Sequence, residues 1–426
     1  MKPFPPVMSH FRILGGQRLC GTVRAGGSKN AALPMMAAAI LADGPVRLEG
    51  VPRLADVDTL SLLLGQLGIE VRRAEDDAIV LRTVDPQPVR ADYELVRRMR
   101  ASFCVLGPLL ARRGKAVVSL PGGCNVGPRP VDLHLAGLVA LGADLRIEHG
   151  YVIAQAERLV GTTVSMAGPR GPTVTGTANV LSAAVLAEGR TTITGAAVEP
   201  EIVDLGRFLN SLGAKIDGLG TPALEIDGVR RLTGGCHAVI PDRIETATLL
   251  LAAAITRGQV TVAGAVPGHL DAVLEKLGQA GCRIAVEDDR ITLAADGRPR
   301  PLEITAEPYP GVPSDVQAQW MALLSLADGR STVRDLVFRS RFLHAAELNR
   351  LGARIELGDA AAAVQGVGGL TGAEVTASDL RASAALVLAG LAAQGETLVR
   401  EIHHLDRGYQ RLDEKLNLLG ADVRRV

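Results

Sequence analysis

Six segments of the chain share one pattern of apolar and polar positions. Each begins with an Ala- and Leu-rich stretch of helix length, such as "NVLSAAVLAE" or "TLLLAAAI", that is apolar on nearly all sides. A glycine then opens a short strand, a loop follows, and an amphipathic stretch such as "LDAVLEKLGQAG" leads to a second strand. Helices that are apolar all round are typically buried, whereas helices with one polar face cover a sheet. The pattern predicts a buried helix, a strand, an amphipathic helix, a strand and a hairpin-like stretch in each segment.

The six segments recur at a nearly constant period. A phrase of the type "LGA", followed by a strand pattern, marks each one. Its glycines lie 74, 71, 68, 71 and 68 residues apart, at Gly68, Gly142, Gly213, Gly281, Gly352 and Gly420. A fixed period of this kind indicates an internally repeated supersecondary unit. The sequence therefore predicts an α/β protein with two similar halves, and the pattern alone leaves the division of the six units open.

Only the second unit is clearly longer than the others. From the glycine that opens its strand to its closing glycine it spans 28 residues, against 23 to 25 elsewhere. The surplus is the glycine- and proline-rich stretch "LPGGCNVGPRP", which contains Cys124. Glycine and proline mark loops with little packing of their own. Such an insertion is either an active-site lid that carries the thiol or a tolerated surface loop with an inert cysteine.

Composition and charge exclude several classes of function. Lys plus Arg and Asp plus Glu both number 46 in 426 residues, so no global positive field attracts nucleic acid or anionic lipid. Aromatic residues make up only 3% of the chain, too few for the stacking surfaces of single-stranded nucleic-acid binding. The longest apolar runs reach roughly half of the ~20 residues that span a bilayer, and residues 1–14 show no apolar signal core. We therefore expect a protein that binds no nucleic acid and does not insert into a membrane.

The cysteines and the missing motifs limit the chemistry further. Five cysteines form no C-x-x-C pair, which favours free thiols in a cytoplasmic protein: Cys20, Cys104, Cys124, Cys236 and Cys282. The sequence contains no G-x-x-x-x-G-K-[ST] loop, no strand-following G-x-G-x-x-G and no H-E-x-x-H spacing. We therefore expect neither P-loop nucleotide hydrolysis nor metal catalysis.

Basic residues lie where several apolar helices are predicted to begin. Lys29, Arg100 and Arg381 oppose the helix dipole there, which is unfavourable unless an anion is bound. The loops that precede the second helix of a unit add further cations: Arg129, Arg341 and Arg407. If the units are copies, these six cations share one cleft and bind a multiply anionic ligand. The alternative is a set of salt-bridged arginines on the surface.

Nine short motifs, in order along nearly the whole chain, resemble the UDP-N-acetylglucosamine 1-carboxyvinyltransferases of the enolpyruvyl transferase family. The cysteine loop and the "DLRAS" motif are highly specific in combination. The related transferases that act on shikimate 3-phosphate share the six-unit plan but lack this loop. The motifs are SKNAALP (28–34), MRAS (99–102), PGGCNVGPRPVDLH (121–134), TVTGT (173–177), EPEIVD (199–204), PDRIET (241–246), PSDVQAQ (313–319), DLRASAALVLAG (379–390) and HLDRGY (404–409).

The resemblance implies a two-domain inside-out α/β barrel. Each domain then holds three of six repeats of a βαβαββ-like unit, with helices inside and sheets outside. The first strands of the family pair with the C-terminal domain. We therefore expect one domain over residues 29–240, which carries the Cys124 loop, and the other over residues 1–28 plus 241–426. The active site is expected in a cleft between the two domains, which closes on substrate.

The resemblance also implies an activity. Such an enzyme transfers the enolpyruvyl group of phosphoenolpyruvate to the 3-hydroxyl of UDP-N-acetylglucosamine and releases phosphate by addition and elimination. This reaction is the first committed step of peptidoglycan synthesis, and we expect the epoxide fosfomycin to alkylate the loop cysteine. The implied enzyme is cytoplasmic and uses no cofactor or metal, because arginines supply the positive charge. The sequence indicates no oligomeric state.

Individual residues receive roles from the same resemblance. Cys124 is expected to donate a proton to C3 of phosphoenolpyruvate, and Asp315 to act as the base that contacts the sugar. The residues expected to bind phosphoenolpyruvate are Lys29, Asn30, Arg129, Arg341, Arg381 and Arg407. Those expected to contact the nucleotide sugar are Arg100, Arg129, Pro130, Val131, Asp132, Leu133, Asp315 and Val337.

Some positions depart from the usual family pattern. Val198 stands where a basic residue is frequent, and Arg339 and Ser340 replace Glu and Asn. These changes leave the reacting groups in place but affect the predicted nucleotide contacts. One alternative is therefore an enolpyruvyl transferase that acts on another nucleotide in specialised metabolism. Another is a catalytically silent regulatory paralogue, against which the retained Cys124 and Asp315 argue.

Overall fold

A computed structural model of the chain describes residues 10–122, 130–169 and 171–426. The predicted site residues Cys124 and Arg129 lie outside the described residues. Short 3-10 helices cover Ala39–Leu41, Arg100–Val105, Pro267–His269, Ser314–Val316 and Ile402–Arg407. Numbered in chain order, the α-helices of the described ranges are α1 Lys29–Ala38, α2 Ala55–Gln66, α3 Tyr93–Val96, α4 Leu106–Arg113, α5 Asp132–Ala140, α6 Val174–Ala184, α7 Pro200–Ser211, α8 Arg243–Ile255, α9 Asp271–Gln279, α10 Gln317–Leu324, α11 His344–Arg350, α12 Ala382–Ala392 and α13 Leu412–Leu418.

The strands are short, and most have three to five residues. In chain order they are β1 His10–Leu14, β2 Cys20–Arg24, β3 Val46–Glu49, β4 Ile69–Arg73, β5 Ile79–Thr83, β6 Arg90–Ala91, β7 Lys115–Ser119, β8 Asp144–Glu148, β9 Tyr151–Gln155, β10 Thr163–Ser165, β11 Ala167–Gly168, β12 Gly171–Pro172, β13 Arg190–Thr194, β14 Lys215–Asp217, β15 Ala223–Asp227, β16 Gly235–Ala238, β17 Gln259–Ala263, β18 Arg283–Glu287, β19 Arg290–Ala294, β20 Glu303–Ala306, β21 Arg330–Asp335, β22 Arg354–Leu357, β23 Ala361–Gln365, β24 Leu370–Thr371, β25 Glu374–Thr376, β26 Ala393–Gln394, β27 Glu396–Arg400 and β28 Asp422–Arg425.

The described chain divides into two compact units. The middle unit contains residues 27–122 and 130–240, and the split unit contains residues 10–26 and 241–426. Each unit has its own core of buried apolar side chains. A separate core of this kind is the usual mark of a domain.

In the middle unit, three four-stranded sheets have the orders β16-β3-β5-β4, β6-β7-β9-β8 and β10-β13-β15-β14. The first two strands of each sheet run parallel, and the other neighbours run antiparallel. A helix connects the parallel strands in the second and third of these sheets. The first sheet is completed by β16, which follows the other strands of the unit in sequence and pairs Gly235 with Val46 of β3.

The split unit repeats this arrangement with the orders β18-β19-β17-β2, β20-β21-β23-β22 and β25-β27-β1-β28. Again one neighbouring pair in each sheet is parallel and the other two are antiparallel. Two sheets take a strand from residues 10–24. β2 pairs in parallel with β17, and β1 lies between β27 and β28. The first strands therefore complete sheets whose other strands follow residue 240.

The two kinds of helix predicted from the sequence are both present. All residues of α8 are buried, and in α1 only Asn30 is not fully buried. By contrast, only Val273 and Leu277 are buried in α9. The predicted order of buried helix, strand, amphipathic helix, strand and strand is confirmed, for example, by α8, β17, α9, β18 and β19. None of the helices in the described ranges is both long enough and apolar enough to cross a membrane.

The repeated glycines have one structural cause. Each follows the last turn of an amphipathic helix, and their φ angles lie between 74° and 103°. This left-handed conformation is unfavourable for residues with a Cβ atom and is the usual way to end a helix with glycine. The positions are Gly68, Gly142, Gly213, Gly281, Gly352 and Gly420. The period of the glycines in the sequence therefore reflects a left-handed backbone conformation that recurs after each of these helices.

A buried polar network ties three helices of the middle unit together. Asn179 of α6 donates from Nδ2 to the Phe103 carbonyl at 2.9 Å, and its Oδ1 accepts the Gly107 N–H at 2.8 Å. Nδ1 of His134, on α5, lies 2.9 Å from Asn179 Nδ2 and therefore accepts. The Nε2 atom is then the protonated one, and it lies 3.2 Å from the Thr175 hydroxyl. Burial, together with the Arg100 charge, lowers the pKa of His134 to about 3.

We expect a fall in pH to destabilise the protein through His134. Its imidazole is neutral in the folded protein but takes up a proton in the unfolded chain below about pH 6.5. Stability is therefore lost as pH falls from about 6.5 towards the folded pKa of about 3. Between about pH 7.5 and about pH 5 the loss is about 2 kcal/mol. Urea titration followed by circular dichroism at both pH values measures it as a lower unfolding midpoint.

A matched pair of variants isolates this contribution. His134→Gln removes the ionisable ring, so its urea midpoint should change less between the two pH values than that of the wild type. His149→Asn removes an exposed histidine with a φ of 50°, a conformation that asparagine tolerates. That control should keep the wild-type pH dependence. Equal pH dependence in His134→Gln and the wild type would contradict the assignment.

Candidate functional site

In the split unit, predicted site residues lie at the start of buried helices and in the loops after strands. Asp315 lies in the 3-10 helix that precedes α10, and Arg381 is the residue before α12. Arg341 lies between β21 and α11, and Arg407 ends the 3-10 helix before α13. Because the repeats share one topology, Asp315 and Arg381 occupy equivalent positions before α10 and α12. In the same way, Arg341 and Arg407 lie in equivalent segments after β21 and β27. Hydrogen bonds join Asp315, Arg341 and Asp379 into one cluster.

The Arg341 guanidinium is the centre of this cluster. Only 5% of the residue is exposed. Its Nε and Nη2 atoms donate to the two oxygens of Asp379 at 2.8 and 3.0 Å, and its Nη1 atom donates to Asp315 Oδ1 at 2.8 Å. A paired fork of this kind is among the strongest and most directional contacts that a guanidinium makes. Arg341 therefore fixes the Asp315 side chain relative to the start of α12.

Asp379 holds both the arginine and the helix. Its Oδ1 atom accepts the backbone N–H groups of Arg381 and Ala382 at 2.7 and 3.1 Å, as a helix cap does. Burial alone would raise the pKa of Asp379, but the Arg341 charge and these hydrogen bonds lower it to about 2. The carboxylate is therefore ionised at neutral pH and can balance Arg341.

Arg381 is almost completely buried, at 1% exposure. Its Nη1 atom donates to the Gly408 carbonyl at 2.7 Å, and Nη2 donates to Asp242 Oδ2 at 3.0 Å. The guanidinium also lies over the Tyr409 ring, 4.9 Å from its centroid. Its nearest approach to Asp315 is 3.9 Å, from Nε to Oδ2. The Arg381 side chain is thus surrounded by protein groups, and Asp315, with 30% of its side chain exposed, is the more accessible of the two.

Asp335 is a buried part of this site that sequence reasoning missed. It is the last residue of β21, has no exposed surface, and accepts a hydrogen bond from the Ser314 hydroxyl. Its other oxygen accepts the backbone N–H groups of Val337 and Phe338 at 2.9 and 2.7 Å. It therefore joins the residue before Asp315 to the turn that contains Val337. The sequence does mark Asp335, because it is a charged residue at a position of β21 where the alternation of apolar and polar residues predicts an apolar one.

In the middle unit, Lys29 is the first residue of α1 and is buried. Its Nζ atom donates to Asp56 Oδ2 at 2.9 Å, and Asp56 is buried as well. The Ser28 hydroxyl caps the same helix by accepting the Ala31 N–H. Asn30 follows Lys29 and is partly exposed. The unfavourable position of a lysine at a helix start is thus offset by a carboxylate of the protein.

Arg100 lies beside the predicted nucleotide-binding run. Its Nη2 atom donates to the Pro130 carbonyl at 2.9 Å. Val131 and Leu133 are partly exposed, and Asp132 is exposed in the first turn of α5. Arg100 therefore anchors the chain where the described residues resume after residue 122.

The six predicted cations belong to different parts of the described structure. Lys29 and Arg100 are in the middle unit, Arg341, Arg381 and Arg407 are in the split unit, and Arg129 lies outside the described residues. Their common cleft stays a prediction. The alternative of salt-bridged surface residues is wrong for Lys29, Arg341 and Arg381, because these side chains are paired but buried.

The arrangement in the split unit suits proton transfer beside an anion. Asp315 is a partly exposed carboxylate that is held in place by a fixed guanidinium, and a carboxylate in such a position can accept a proton from a bound hydroxyl. Arg341 and Arg381 provide two positive charges next to it, while Asp242, Asp315 and Asp379 provide three negative ones. These five residues alone therefore lack net positive charge, and an anionic ligand needs further cations.

Comparisons with known proteins point to one family. The family model described as EPSP synthase (3-phosphoshikimate 1-carboxyvinyltransferase) matches residues 13–416. A protein named UDP-N-acetylglucosamine 1-carboxyvinyltransferase from Anaeromyxobacter sp. strain K is 52% identical over 423 residues, which cover 98% of this chain and 100% of the relative. A second relative, named UDP-N-acetylglucosamine 1-carboxyvinyltransferase 2, from Carboxydothermus hydrogenoformans, is 50% identical over 421 residues with the same coverage.

Solved structures show the same architecture. The enolpyruvyl transferase NikO from Streptomyces tendae superposes with a TM-score of 0.88 at 30% identity, over 99% of each chain. EPSP synthase from Acinetobacter baumannii has a TM-score of 0.73 at 18% identity, over 98% of this chain and 100% of that one, and so shows the fold alone. The mixed α/β fold predicted from the repeats is confirmed by these matches. With a family model that spans nearly the whole chain and full-length relatives at half identity, the chain belongs to the EPSP synthase family of carboxyvinyltransferases.

Proposed function

We propose that this protein transfers the enolpyruvyl group of phosphoenolpyruvate to the 3-hydroxyl of UDP-N-acetylglucosamine, the first committed step of peptidoglycan synthesis. The observation that carries the proposal is the 52% identity, over the full length of the relative, to a protein named for that acceptor. The hydrogen bond from buried Arg341 to the partly exposed Asp315 supports it, because the reaction needs a base that is held in place next to an anionic substrate.

The reaction assigns a task to each end of the double bond of phosphoenolpyruvate. The Cys124 thiol donates a proton to C3, which makes C2 electrophilic, and the sugar hydroxyl attacks C2 while Asp315 takes its proton. The resulting tetrahedral intermediate carries both the sugar ether and the phosphate on C2. A C3 proton then returns to the Cys124 thiolate, and phosphate departs with the proton that Asp315 had taken, which restores the double bond. Four proton transfers and one leaving group balance the reaction without a cofactor or metal.

The anionic substrate requires more cations than the Arg341 cluster supplies. We propose that phosphoenolpyruvate is held by Lys29, Asn30, Arg129, Arg341, Arg381 and Arg407. Two nitrogens of Arg381 already donate to Gly408 and Asp242. Arg381 therefore contributes mainly a positive charge near Asp315 and does not form a pair of hydrogen bonds with the substrate. The nucleotide sugar contacts Asp315 and the run from Arg129 to Leu133, with Arg100 and Val337.

The same proposal extends to the architecture and the setting of the enzyme. We propose that the two units are inside-out α/β barrels of three repeats each, with domain limits near 29–240 and 1–28 plus 241–426, and that both contribute to one active site. Three equivalent sheets in each unit and the buried helices α1 and α8 support this arrangement. We also propose a cytoplasmic location, because both substrates are phosphorylated intermediates of the cell.

Phosphate release in the presence of two acceptors tests the function directly. The enzyme should release phosphate from phosphoenolpyruvate when UDP-N-acetylglucosamine is added, and should release little with uridine monophosphate. Uridine monophosphate tests the alternative of an enolpyruvyl transferase that acts on another nucleotide. Faster turnover with uridine monophosphate would favour the transferase of specialised metabolism. No release with either acceptor would favour the silent paralogue.

Asp315→Asn should lower kcat while the fold is retained. The amide oxygen can still accept from Arg341, but the side chain can no longer take the proton of the sugar hydroxyl. Loss of a general base typically costs about 10²- to 10⁴-fold in rate. Asp328→Asn is the matched control, because the Asp328 side chain is 80% exposed and lies in the same unit. Wild-type kcat in Asp315→Asn would remove Asp315 from the mechanism.

Fosfomycin should alkylate Cys124 selectively among the five cysteines. Burial raises the pKa of Cys104 to about 12 and that of Cys282 to about 11, so both stay protonated. Cys236 is exposed, but some loss of hydration and the nearby Glu49 raise the pKa of its thiol. Cys20 is exposed and is the remaining competitor, so Cys20→Ser is the control variant. Peptide mass mapping should find the adduct on Cys124 in both the wild type and Cys20→Ser.

Activity measurements on Cys124 variants complete this test. An aspartate can donate a proton but traps an epoxide poorly, so Cys124→Asp should keep measurable turnover and resist fosfomycin. Cys124→Ala should lose turnover. Labelling mainly at another cysteine, or a fully active Cys124→Ala enzyme, would overturn the role of this thiol.

A further inference from the structure

The Arg425 side chain joins two carboxylates near the end of the split unit. Its Nη1 and Nη2 atoms donate to the two oxygens of Asp406 at 3.0 and 2.6 Å. Its Nε and Nη2 atoms donate to Asp413 at 3.1 and 3.3 Å. Arg425 of β28 also lies opposite Phe11 of the neighbouring strand β1, and its guanidinium is 4.9 Å from the centroid of the Phe11 ring. One half-buried arginine thus makes four hydrogen bonds to side chains on two neighbouring elements.

Both neighbours of Arg407 are held by arginines. Asp406, the residue before it, is bound by Arg425, and the carbonyl of Gly408, the residue after it, accepts from Arg381 at 2.7 Å. The backbone at Arg407 is therefore fixed from two sides. Arg381 is held in turn by a hydrogen bond to Asp242. Asp406 is held by two hydrogen bonds from the Arg425 guanidinium.

The segment around Arg407 needs such support. It begins after Glu401 and ends before Arg411, and these two residues have φ angles of 59° and 52°. A left-handed conformation is unfavourable for residues other than glycine and persists only where surrounding contacts impose it. Arg425 contacts the last turn of the segment through Asp406 and the first turn of α13 through Asp413. It therefore spans the left-handed residue Arg411 that lies between them.

We propose that Arg425 is a positioning residue that fixes the direction in which Arg407 presents its guanidinium to phosphoenolpyruvate. The substrate part of this inference rests on the proposed function, because Arg407 is assigned to phosphoenolpyruvate there. The role of Arg425 is indirect, because its side chain acts on Arg407 through Asp406 and Asp413. Its planar fork is essential to the role, because a lysine offers a single charge and cannot pair with both oxygens of Asp406 while it also contacts Asp413.

The first measurement concerns the segment and does not depend on activity. Arg425→Met keeps an apolar stem beside Phe11 and removes the charge. Arg424→Met is the matched control, because Arg424 is the exposed neighbour that pairs with Asp422 on its own strand. Amide hydrogen exchange, followed by mass spectrometry, should become faster in residues 402–411 of Arg425→Met and stay unchanged in Arg424→Met. The buried helix α8 serves as an internal reference for the intact fold.

The second measurement concerns the substrates. Arg425→Met should raise KM for phosphoenolpyruvate by about tenfold or more, because a misplaced guanidinium loses a charge-assisted contact. KM for UDP-N-acetylglucosamine should change less than about twofold, since the proposed contacts to the nucleotide sugar do not involve Arg407. Asp406→Asn should reproduce both changes, and Asp413→Asn should produce smaller ones. Arg425→Lys should remain close to Arg425→Met in both measurements.

Specific outcomes would overturn the proposal. Unchanged exchange in residues 402–411 of Arg425→Met would show that Arg425 does not hold the segment. Faster exchange that extends equally to α8, or an equal rise of both KM values, would reduce Arg425 to a general stabilising residue. If the wild-type protein transfers nothing, the proposed function fails, and the exchange measurement still decides whether Arg425 holds the segment.

Discussion

The described part of the site depends on the burial of the Arg341 guanidinium between Asp379 and Asp315. A charge removed from water is tolerated only when it is paired and its hydrogen bonds are satisfied, and all three nitrogens of this guanidinium have partners. Removal of one partner of such a buried pair typically costs about 3–5 kcal/mol. The partners come from loops before α10 and α12, so one interaction orients the proposed base and joins two repeats of the split unit. Stability and catalytic geometry are therefore coupled at Arg341.

The cations that begin buried helices follow a common rule in both units. Lys29 is paired with Asp56, and Arg381 with Asp242, so each unfavourable helix start is offset by a carboxylate from elsewhere in the same unit. These carboxylates balance the buried positive charges and hold their side chains in place. They also cancel part of the positive charge, and the proposed anion site therefore requires several cations rather than one.

Sequence patterns predicted the fold well because its repeated requirements are local. The closing glycines, with Gly281 as an example, reflect a left-handed turn after each amphipathic helix, and the apolar stretches reflect helices that are buried on all sides. The polar partners of the site could not be predicted in the same way. Arg381 and Asp242 are 139 residues apart, and nothing in either neighbourhood specifies the other. Asp335 could be detected only because it is a charged residue at a strand position where an apolar residue is expected. The pairing of Arg381 with Asp242 depends on the tertiary structure, and no short sequence pattern specifies it.

The position of β1 has a consequence for the order in which the protein is made. This strand lies between β27 and β28, and Phe11 pairs with Val399 on one side and Arg425 on the other. A ribosome synthesises residues 10–14 first, but their sheet cannot close until residues 422–425 have emerged. The middle unit draws its sheets from residues that are all complete by residue 240. Domains generally fold as their sequence becomes available, so the middle unit can fold once residue 240 has emerged, while in the split unit β1 stays unpaired until β27 and β28 have been synthesised.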